Sequence, residues 1–307
     1  MGVLLTAAAI VVSTGIGVWS EHRWPRGAAE GARRALLAIL YVVLPPVYFL
    51  NLAAAHINLD EGVGILLALL TNLVTSVLVW WGASRFLRLP RHQVGAVVVS
   101  VMVVNTAFLG FPLVIALLGR DALSTAVLYD VLVSGPLLLL GAFAVGAAFG
   151  TKSGETPRDR VRAFFTRNPP LYGAILGLIA PRSLAPETLV HIAQIAVIGI
   201  LPIGFFAVGA TLAEDAEEGT LPMPPPLTRP VVLALVARLV FAPVLLTALA
   251  APLIDLPTTY RLLIAMPTGL NAMVVSHAYG LDNRTVAETV VWSSAIVVLV
   301  ALVSLLF

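Results

Sequence analysis

The sequence predicts an all-α polytopic membrane protein with ten transmembrane helices, arranged as two inverted five-helix repeats. Three observations lead to this fold class: a very apolar composition, ten apolar stretches, and a basic loop with five stretches on either side of it. The chain has 307 residues, of which 59% are hydrophobic and only 11% are charged. Soluble domains carry about 25% charged residues, so this chain has too few polar groups to cover a surface exposed to water.

Ten apolar stretches define the predicted membrane spans, because a membrane helix needs ~20 apolar residues. They are residues 2–19, 35–54, 62–83, 93–118, 121–149, 169–180, 187–212, 228–252, 258–280 and 283–306. The first span lacks the basic segment that opens a cleaved signal peptide, so it is predicted to be a retained helix.

The distribution of Lys and Arg predicts the orientation, because cytoplasmic loops carry an excess of both. Of the 18 Lys and Arg residues, Arg238 lies within a span and three lie in loops after even-numbered spans, namely Arg120, Arg182 and Arg261. The other 14 lie in loops after odd-numbered spans: Arg23, Arg26, Arg33, Arg34, Arg85, Arg88, Arg91, Lys152, Arg158, Arg160, Arg162, Arg167, Arg229 and Arg284. We expect a multi-pass protein of the inner membrane with both termini outside and the 150–168 loop in the cytoplasm.

The basic loop divides the chain into a first five-helix repeat (1–149), a cytoplasmic linker loop (150–168) and a second repeat (169–307). An odd number of spans per repeat turns the second repeat upside down, which is the plan of many secondary transporters. Two polar pairs support the duplication. Asn72 corresponds to Arg238 and Asn105 to Asn271, with 166 residues between the members of each pair. A second loop, 213–227, is acidic and then proline-rich, and it is predicted to be a stiff cytoplasmic linker.

Spans four and nine are predicted to be broken, because each carries proline, glycine, asparagine and threonine near its middle. Proline removes a backbone donor and glycine loosens the backbone, and unpaired backbone groups must face protein or water. Two broken helices that meet at the midplane aim N-terminal ends at an anion, with asparagine amides as further donors. The predicted substrate-binding residues are Asn105, Thr106, Gly110, Pro112, Pro267, Thr268, Gly269 and Asn271.

Four further polar residues within the spans are candidates for ion coupling: Asn72, Asp130, Arg238 and His277. A charge at mid-bilayer costs about 2.5–3.5 kcal/mol on insertion scales, so Asp130 and Arg238 each need a partner or a water-filled face. They lie at similar predicted depths, and we expect them to compensate each other directly or through one polar group. His277 is either a proton relay or a polar group at a helix end.

Neither catalysis nor a resident metal is predicted. The chain has no GxSxG, HExxH or phosphate-loop motif, its five histidines lack metal-ligand spacing, and it has no cysteine. The net charge of +2 does not indicate a nucleic-acid surface. No cofactor is expected beyond a coupling proton or sodium ion. The lipid bilayer is the expected environment of the protein.

The motifs of this sequence resemble those of the auxin efflux carrier family, whose bacterial members include proteins described as malonate or malate permeases. The strongest block is Asn105–Pro112, which is close to the family's N-x-x-F-x-G-x-P stretch. The supporting blocks are Leu44-Pro45-Pro46, Asn168-Pro169-Pro170, Ala207-Val208-Gly209-Ala210-Thr211-Leu212 and Met266-Pro267.

The resemblance implies a scaffold domain from helices 1, 2, 6 and 7 and a transport domain from helices 3–5 and 8–10. Helices four and nine would cross at Pro112 and Pro267, and Asn105 would contact a substrate carboxylate. The implied substrate is a small organic anion, moved by an elevator-type alternating-access mechanism. Plant members carry a further proline in helix nine where this chain has Leu270-Asn271-Ala272, so auxin itself is not expected. A homodimer would form through the scaffold helices, in which Gly173 and Gly177 make a GxxxG packing motif.

The predicted function is therefore secondary transport of a small organic anion. One alternative is a sodium-coupled carrier like the bile-acid symporters, which would share the crossed helices but need sodium for uptake. Another is a non-transporting membrane sensor, which would normally carry a soluble output domain. The coupling stays open between proton, sodium and none.

Overall fold

The structure is a computed structural model that describes residues 3–25, 27–55, 58–152, 169–217 and 225–303. Most of the predicted 150–168 loop lies outside the described residues, as do Asn168 of the Asn-Pro-Pro block and residues 218–224 of the predicted 213–227 linker. The described parts are helical and contain one isolated β-bridge, between Val104 and Thr268.

Twelve helices follow one another in the described ranges. They are α1 (Val3–Arg23), α2 (Gly27–Ala54), α3 (Leu59–Arg85), α4 (Arg91–Met102), α5 (Thr106–Leu118), α6 (Arg120–Phe149), α7 (Pro169–Ile179), α8 (Glu187–Glu217), α9 (Arg229–Ala250), α10 (Thr258–Ile264), α11 (Asn271–Tyr279) and α12 (Asn283–Val303). Six of them are long and apolar enough to cross a membrane, namely α2, α3, α6, α8, α9 and α12. The all-helical class is confirmed, and predicted spans four and nine each contain two helices separated by a break.

The predicted linker at 213–227 is wrong in its first part, because α8 continues as a helix to Glu217. The reason is a contact that hydropathy does not show. Glu214, in this extension, forms an ion pair with Arg33 near the start of α2. Helix α2 likewise begins at Gly27, earlier than the predicted start at residue 35. The ion pair thus supports the helical ends of both α2 and α8 beyond the predicted apolar spans.

Helices α1, α2, α7 and α8, which correspond to predicted spans 1, 2, 6 and 7, pack on one another. Glycines bring the backbones together, since a Cβ at Gly17 or Gly209 would overlap a carbonyl oxygen of the facing helix. The same holds where α7 meets α2: Gly173 lies against Pro45 and Gly177 against Phe49. The GxxxG motif is therefore used for packing within the chain, and its glycine face is already covered by α2.

Four prolines follow wide turns that accommodate them. Each lies two residues after a π turn: Pro45 after Ile39–Val43, Pro112 after Thr106–Gly110, Pro136 after Asp130–Ser134, and Pro243 after Ala237–Phe241. A proline ring clashes with the carbonyl four residues earlier, and here that carbonyl belongs to the middle residue of the π turn. The wider turn moves this carbonyl away, so these prolines distort the helices without ending them.

Candidate substrate site at the helix crossing

Two broken helices meet where the α4–α5 break runs antiparallel to the α10–α11 break. The backbone N–H of Asn105 donates to the carbonyl of Pro267 at 2.9 Å, and that of Gly269 donates to the carbonyl of Val103 at 2.9 Å. Backbone groups at the two breaks have no partner within their own helices. These bonds supply the partner that a low-dielectric environment requires. Five predicted site residues, Asn105, Thr106, Pro267, Thr268 and Gly269, are thereby brought to one place.

The implied crossing at Pro112 is wrong. Pro112 lies buried in the first turn after the π turn of α5, eight residues beyond Val104, where the chains actually cross. The physical reason is that the π turn accommodates the proline inside a continuous helix. The break occurs upstream, where the Asn105 N–H bonds across to the partner break instead of back along its own helix. Gly110 lies one turn in from the crossing, close to Leu263 of α10.

The crossing also changes the predicted correspondence between the repeats. Its two hydrogen bonds, Asn105 to Pro267 and Gly269 to Val103, lie symmetrically on either side of the Val104–Thr268 bridge. The bridge partners are 164 residues apart rather than 166, so the counterpart of Asn105 in the crossing is Gly269. Asn271 lies two residues further on, exposed at the start of α11. Asn72 and Arg238, the other predicted pair, contact each other directly.

Hydrogen bonds to two other helices, α4 and α12, hold the second break in place. The Thr268 hydroxyl donates to the Ser100 carbonyl of α4 at 2.7 Å, and the Thr268 N–H donates to the Ser293 hydroxyl of α12 at 3.1 Å. Thr268 is fully buried, so these bonds satisfy groups that have no access to water. The crossing is thus a fixed structure in which α4, α12 and the α10–α11 break are tied together.

The Asn105 side chain is the polar group at the crossing that the described residues leave without a hydrogen-bond partner. The residue is 5% exposed, and its amide atoms are not fully enclosed, so a ligand at the crossing could reach them. Asn105 immediately precedes α5, and the first N–H groups of that helix have no acceptor within the helix. An amide and a helix N-terminus side by side form a donor set suited to a carboxylate.

Arg238 lies beneath the crossing and is fully buried. Its guanidinium donates to four oxygens: Asn72 Oδ1 at 2.9 Å, and the carbonyls of Ile264 at 2.9 Å, Met266 at 3.0 Å and Val101 at 3.2 Å. All four are neutral, and no carboxylate of the described residues pairs with Arg238. The Asn72 amide donates in turn to the Ala68 carbonyl at 2.8 Å, which orients its oxygen toward Arg238.

Asp130 has different partners, and the predicted pairing with Arg238 is wrong for the described residues. Tyr48 Oη and Thr106 Oγ1 donate to the two carboxylate oxygens of Asp130. Asp130 opens the π turn of α6, which faces α2 and the start of α5. Arg238 lies in the π turn of α9 and contacts the ends of α4 and α10. The two charges are therefore satisfied separately, on different elements.

Comparison with known proteins decides the family. The family described as "Membrane transport protein" matches residues 3–145 and 161–305, which is nearly the whole chain. The chain belongs to the auxin efflux carrier family. No curated protein matches it.

Family membership makes this chain a multi-pass membrane transporter, in agreement with the expectation that it is not an enzyme. It argues against the alternative of a non-transporting sensor. The crossing found here contains Asn105, the first residue of the block that carried the resemblance, and Pro267 of the Met266-Pro267 block.

Sequence reasoning missed several groups that build the site of this carrier. Ser100 and Ser293 each bond to Thr268 of the crossing, and Tyr48 bonds to Asp130. Nothing in the sequence separates Tyr48 from other aromatic residues in apolar spans, because its hydroxyl partner is 82 residues away. His277 remains apart from the crossing: it is exposed near the end of α11, and its ring nitrogen lies 3.2 Å from the Met273 carbonyl. This position fits a polar group of the helix end.

A double-mutant cycle tests the new pairing of Asp130. We expect Tyr48→Phe and Asp130→Ala to show a coupling of about 1.5–3 kcal/mol in the free energy of unfolding, because a hydrogen bond to a charged group is lost only once in the double variant. Asp130→Ala combined with Arg238→Gln should add to within ~0.5 kcal/mol, since the two residues share no partner. Thermal unfolding of the purified variants measures both. Coupling in the second cycle and none in the first would contradict the partners described here.

Proposed function

We propose that this carrier is a secondary transporter of a small organic anion with a carboxylate group. The observation that carries the proposal is the Asn105 amide at the start of α5, which is accessible and has no hydrogen-bond partner among the described residues. Next to the crossing lies the buried guanidinium of Arg238, which no described carboxylate neutralises. Each interrupted helix contributes one C-terminal and one N-terminal end to the crossing, and their partial charges of about half a unit oppose each other. The full positive charge of Arg238 therefore dominates beneath Asn105.

Asp130 is the candidate for a coupling proton. Its carboxylate accepts from Thr106, the residue next to Asn105, so an anion bound by Asn105 would meet a second negative charge nearby. Like charges close together raise the affinity of one of them for a proton. A substrate carboxylate and a proton on Asp130 would then favour each other's binding, whereas Tyr48 and Thr106 would still have an acceptor.

The architecture proposed for transport is the one the family resemblance implies. Ten membrane-crossing segments in two inverted repeats would form a scaffold from α1, α2, α7 and α8, with the crossing carried by the remaining helices. The close glycine packing within the first group is what a rigid scaffold requires. The hydrogen bond from Tyr48 of α2 to Asp130 of α6 spans the two groups. It would have to break in an elevator movement.

The substrate class is tested by ligand stabilisation and transport. Purified protein is screened by thermal shift against dicarboxylates, monocarboxylates and indole acids, since a ligand that binds only the folded state raises the melting temperature. Hits are then tested for uptake into proteoliposomes with and without sodium and a proton gradient. A carboxylate that both stabilises and is transported supports the proposal. Uptake that requires sodium would favour the bile-acid-symporter-like alternative, and hits confined to cations would contradict the anion class.

The proposed orientation has its own test. The chain has no cysteine, so a single cysteine at position 155, in the 150–168 loop, can be labelled without background. We expect an impermeant maleimide to reach it in inside-out vesicles and not in intact cells, because the excess of Lys and Arg favours a cytoplasmic loop. Labelling in intact cells would reverse the orientation.

A further inference from the structure

The guanidinium of Arg238 lies at the convergence of four neutral oxygens. One is the Asn72 amide oxygen from α3, and three are backbone carbonyls, of Val101, Ile264 and Met266. Val101 and Ile264 belong to the last turns of α4 and α10. The last carbonyls of a helix have no partner within it and carry the negative end of the helix dipole. The four oxygens therefore form a site that requires a positive charge.

Oxygen atoms of this kind hold a metal cation in other carriers. In transporters with broken helices, unwound backbone carbonyls and the C-terminal ends of half-helices coordinate sodium. Here the nitrogens of Arg238 lie 2.9 to 3.2 Å from the same types of oxygen. Arginine does not lose its proton in proteins, so the positive charge at this position is permanent.

We infer that Arg238 is a built-in cation. Its guanidinium occupies the place of a coupling metal ion and donates hydrogen bonds to the C-terminal carbonyls of α4 and α10 at the crossing. It follows that this carrier, taken as the anion transporter proposed above, works without sodium at the crossing. Two features keep the charge there. The Arg238 side chain is 0% exposed, and Asn72, its one side-chain partner among the described residues, is itself anchored to the Ala68 carbonyl. Arg238 thus positions the breaks around Asn105 without contacting the substrate.

Removing the guanidinium should convert the position into a binding site for a free cation. Arg238→Ala leaves the four oxygens and a volume that a guanidinium ion fills. We expect this variant to melt at least about 5 °C below the unmodified protein in choline chloride. Guanidinium chloride at millimolar concentration, at matched ionic strength, should recover most of the loss, because it binds only the folded state. Arg238→Lys should show a smaller drop in melting temperature, and its melting temperature should not change with guanidinium.

The control is Arg229→Ala, at the exposed start of the same helix. It should melt like the unmodified protein in all salts, and neither should respond to millimolar guanidinium. If Arg238→Ala does not fold without guanidinium, its yield is compared between purification in guanidinium and purification in choline. A higher yield in guanidinium supports the inference, and equal yields contradict it.

Three results would overturn the inference: unchanged melting of Arg238→Ala, no recovery of its melting temperature in guanidinium, or sodium-dependent uptake by the unmodified carrier. The melting measurements need no substrate. Rescue by guanidinium without transport of any carboxylate would therefore support the role of Arg238 and contradict the proposed substrate class alone.

Discussion

Replacing Gly269 with alanine is expected to abolish transport and to destabilise the fold. A Cβ at this position would lie 2.9 Å from the Val104 carbonyl oxygen, 3.0 Å from its carbon and 3.3 Å from the Asn105 nitrogen. These are backbone atoms held by two reciprocal hydrogen bonds, so they cannot move aside without opening the crossing. Overpacking of this kind costs about 1–3 kcal/mol, which corresponds to roughly 2–10 °C in melting temperature.

A matched control for Gly269→Ala is Gly199→Ala in α8, where an added Cβ would meet nothing within 4 Å. That variant should melt and transport like the unmodified protein, because alanine is tolerated better than glycine inside a helix. Melting curves and uptake into proteoliposomes measure both variants. Normal stability and transport in Gly269→Ala would show that the two breaks do not approach each other as described.

The second large effect is expected for Asn105→Ala, in substrate affinity rather than in stability. The Asn105 side chain has no hydrogen-bond partner among the described residues, so its removal should leave the melting temperature without substrate nearly unchanged. A lost hydrogen bond to a charged substrate is worth ~1.5–3 kcal/mol, or roughly a ten- to hundredfold weaker affinity. Titration of a carboxylate identified by the screen, followed by calorimetry or thermal shift, measures this loss.

Asn271→Ala is the informative comparison for Asn105→Ala. A correspondence of 166 residues would give both asparagines the same role, and both variants should then lose affinity equally. The spacing of 164 residues at the crossing relates Asn105 to Gly269 instead, so we expect a smaller effect for the exposed Asn271. Undiminished affinity in Asn105→Ala would rule out its proposed contact with the substrate.

The sequence by itself determined the helical membrane class and the two broken helices. These follow from local properties: the length of apolar stretches, and the Pro, Gly and Asn residues inside spans four and nine. It could also place Asn105 and Pro267 near each other, because a break in a membrane helix needs a protein or water partner. The hydrogen bond between Asn72 and Arg238 was not predicted, because it joins residues 166 positions apart in different spans.

Only the tertiary structure decided how the breaks are joined and which partners satisfy the buried charges. Proline marks a distortion, yet whether it ends a helix depends on a π turn before it, which is why Pro112 does not form the crossing. The register of 164 residues depends on which N–H finds which carbonyl across the break. Charge and depth suggested Arg238 as the partner of Asp130. Over short distances, however, a neutral oxygen or hydroxyl in the right geometry satisfies a buried charge, and such partners come from helices far apart in the chain.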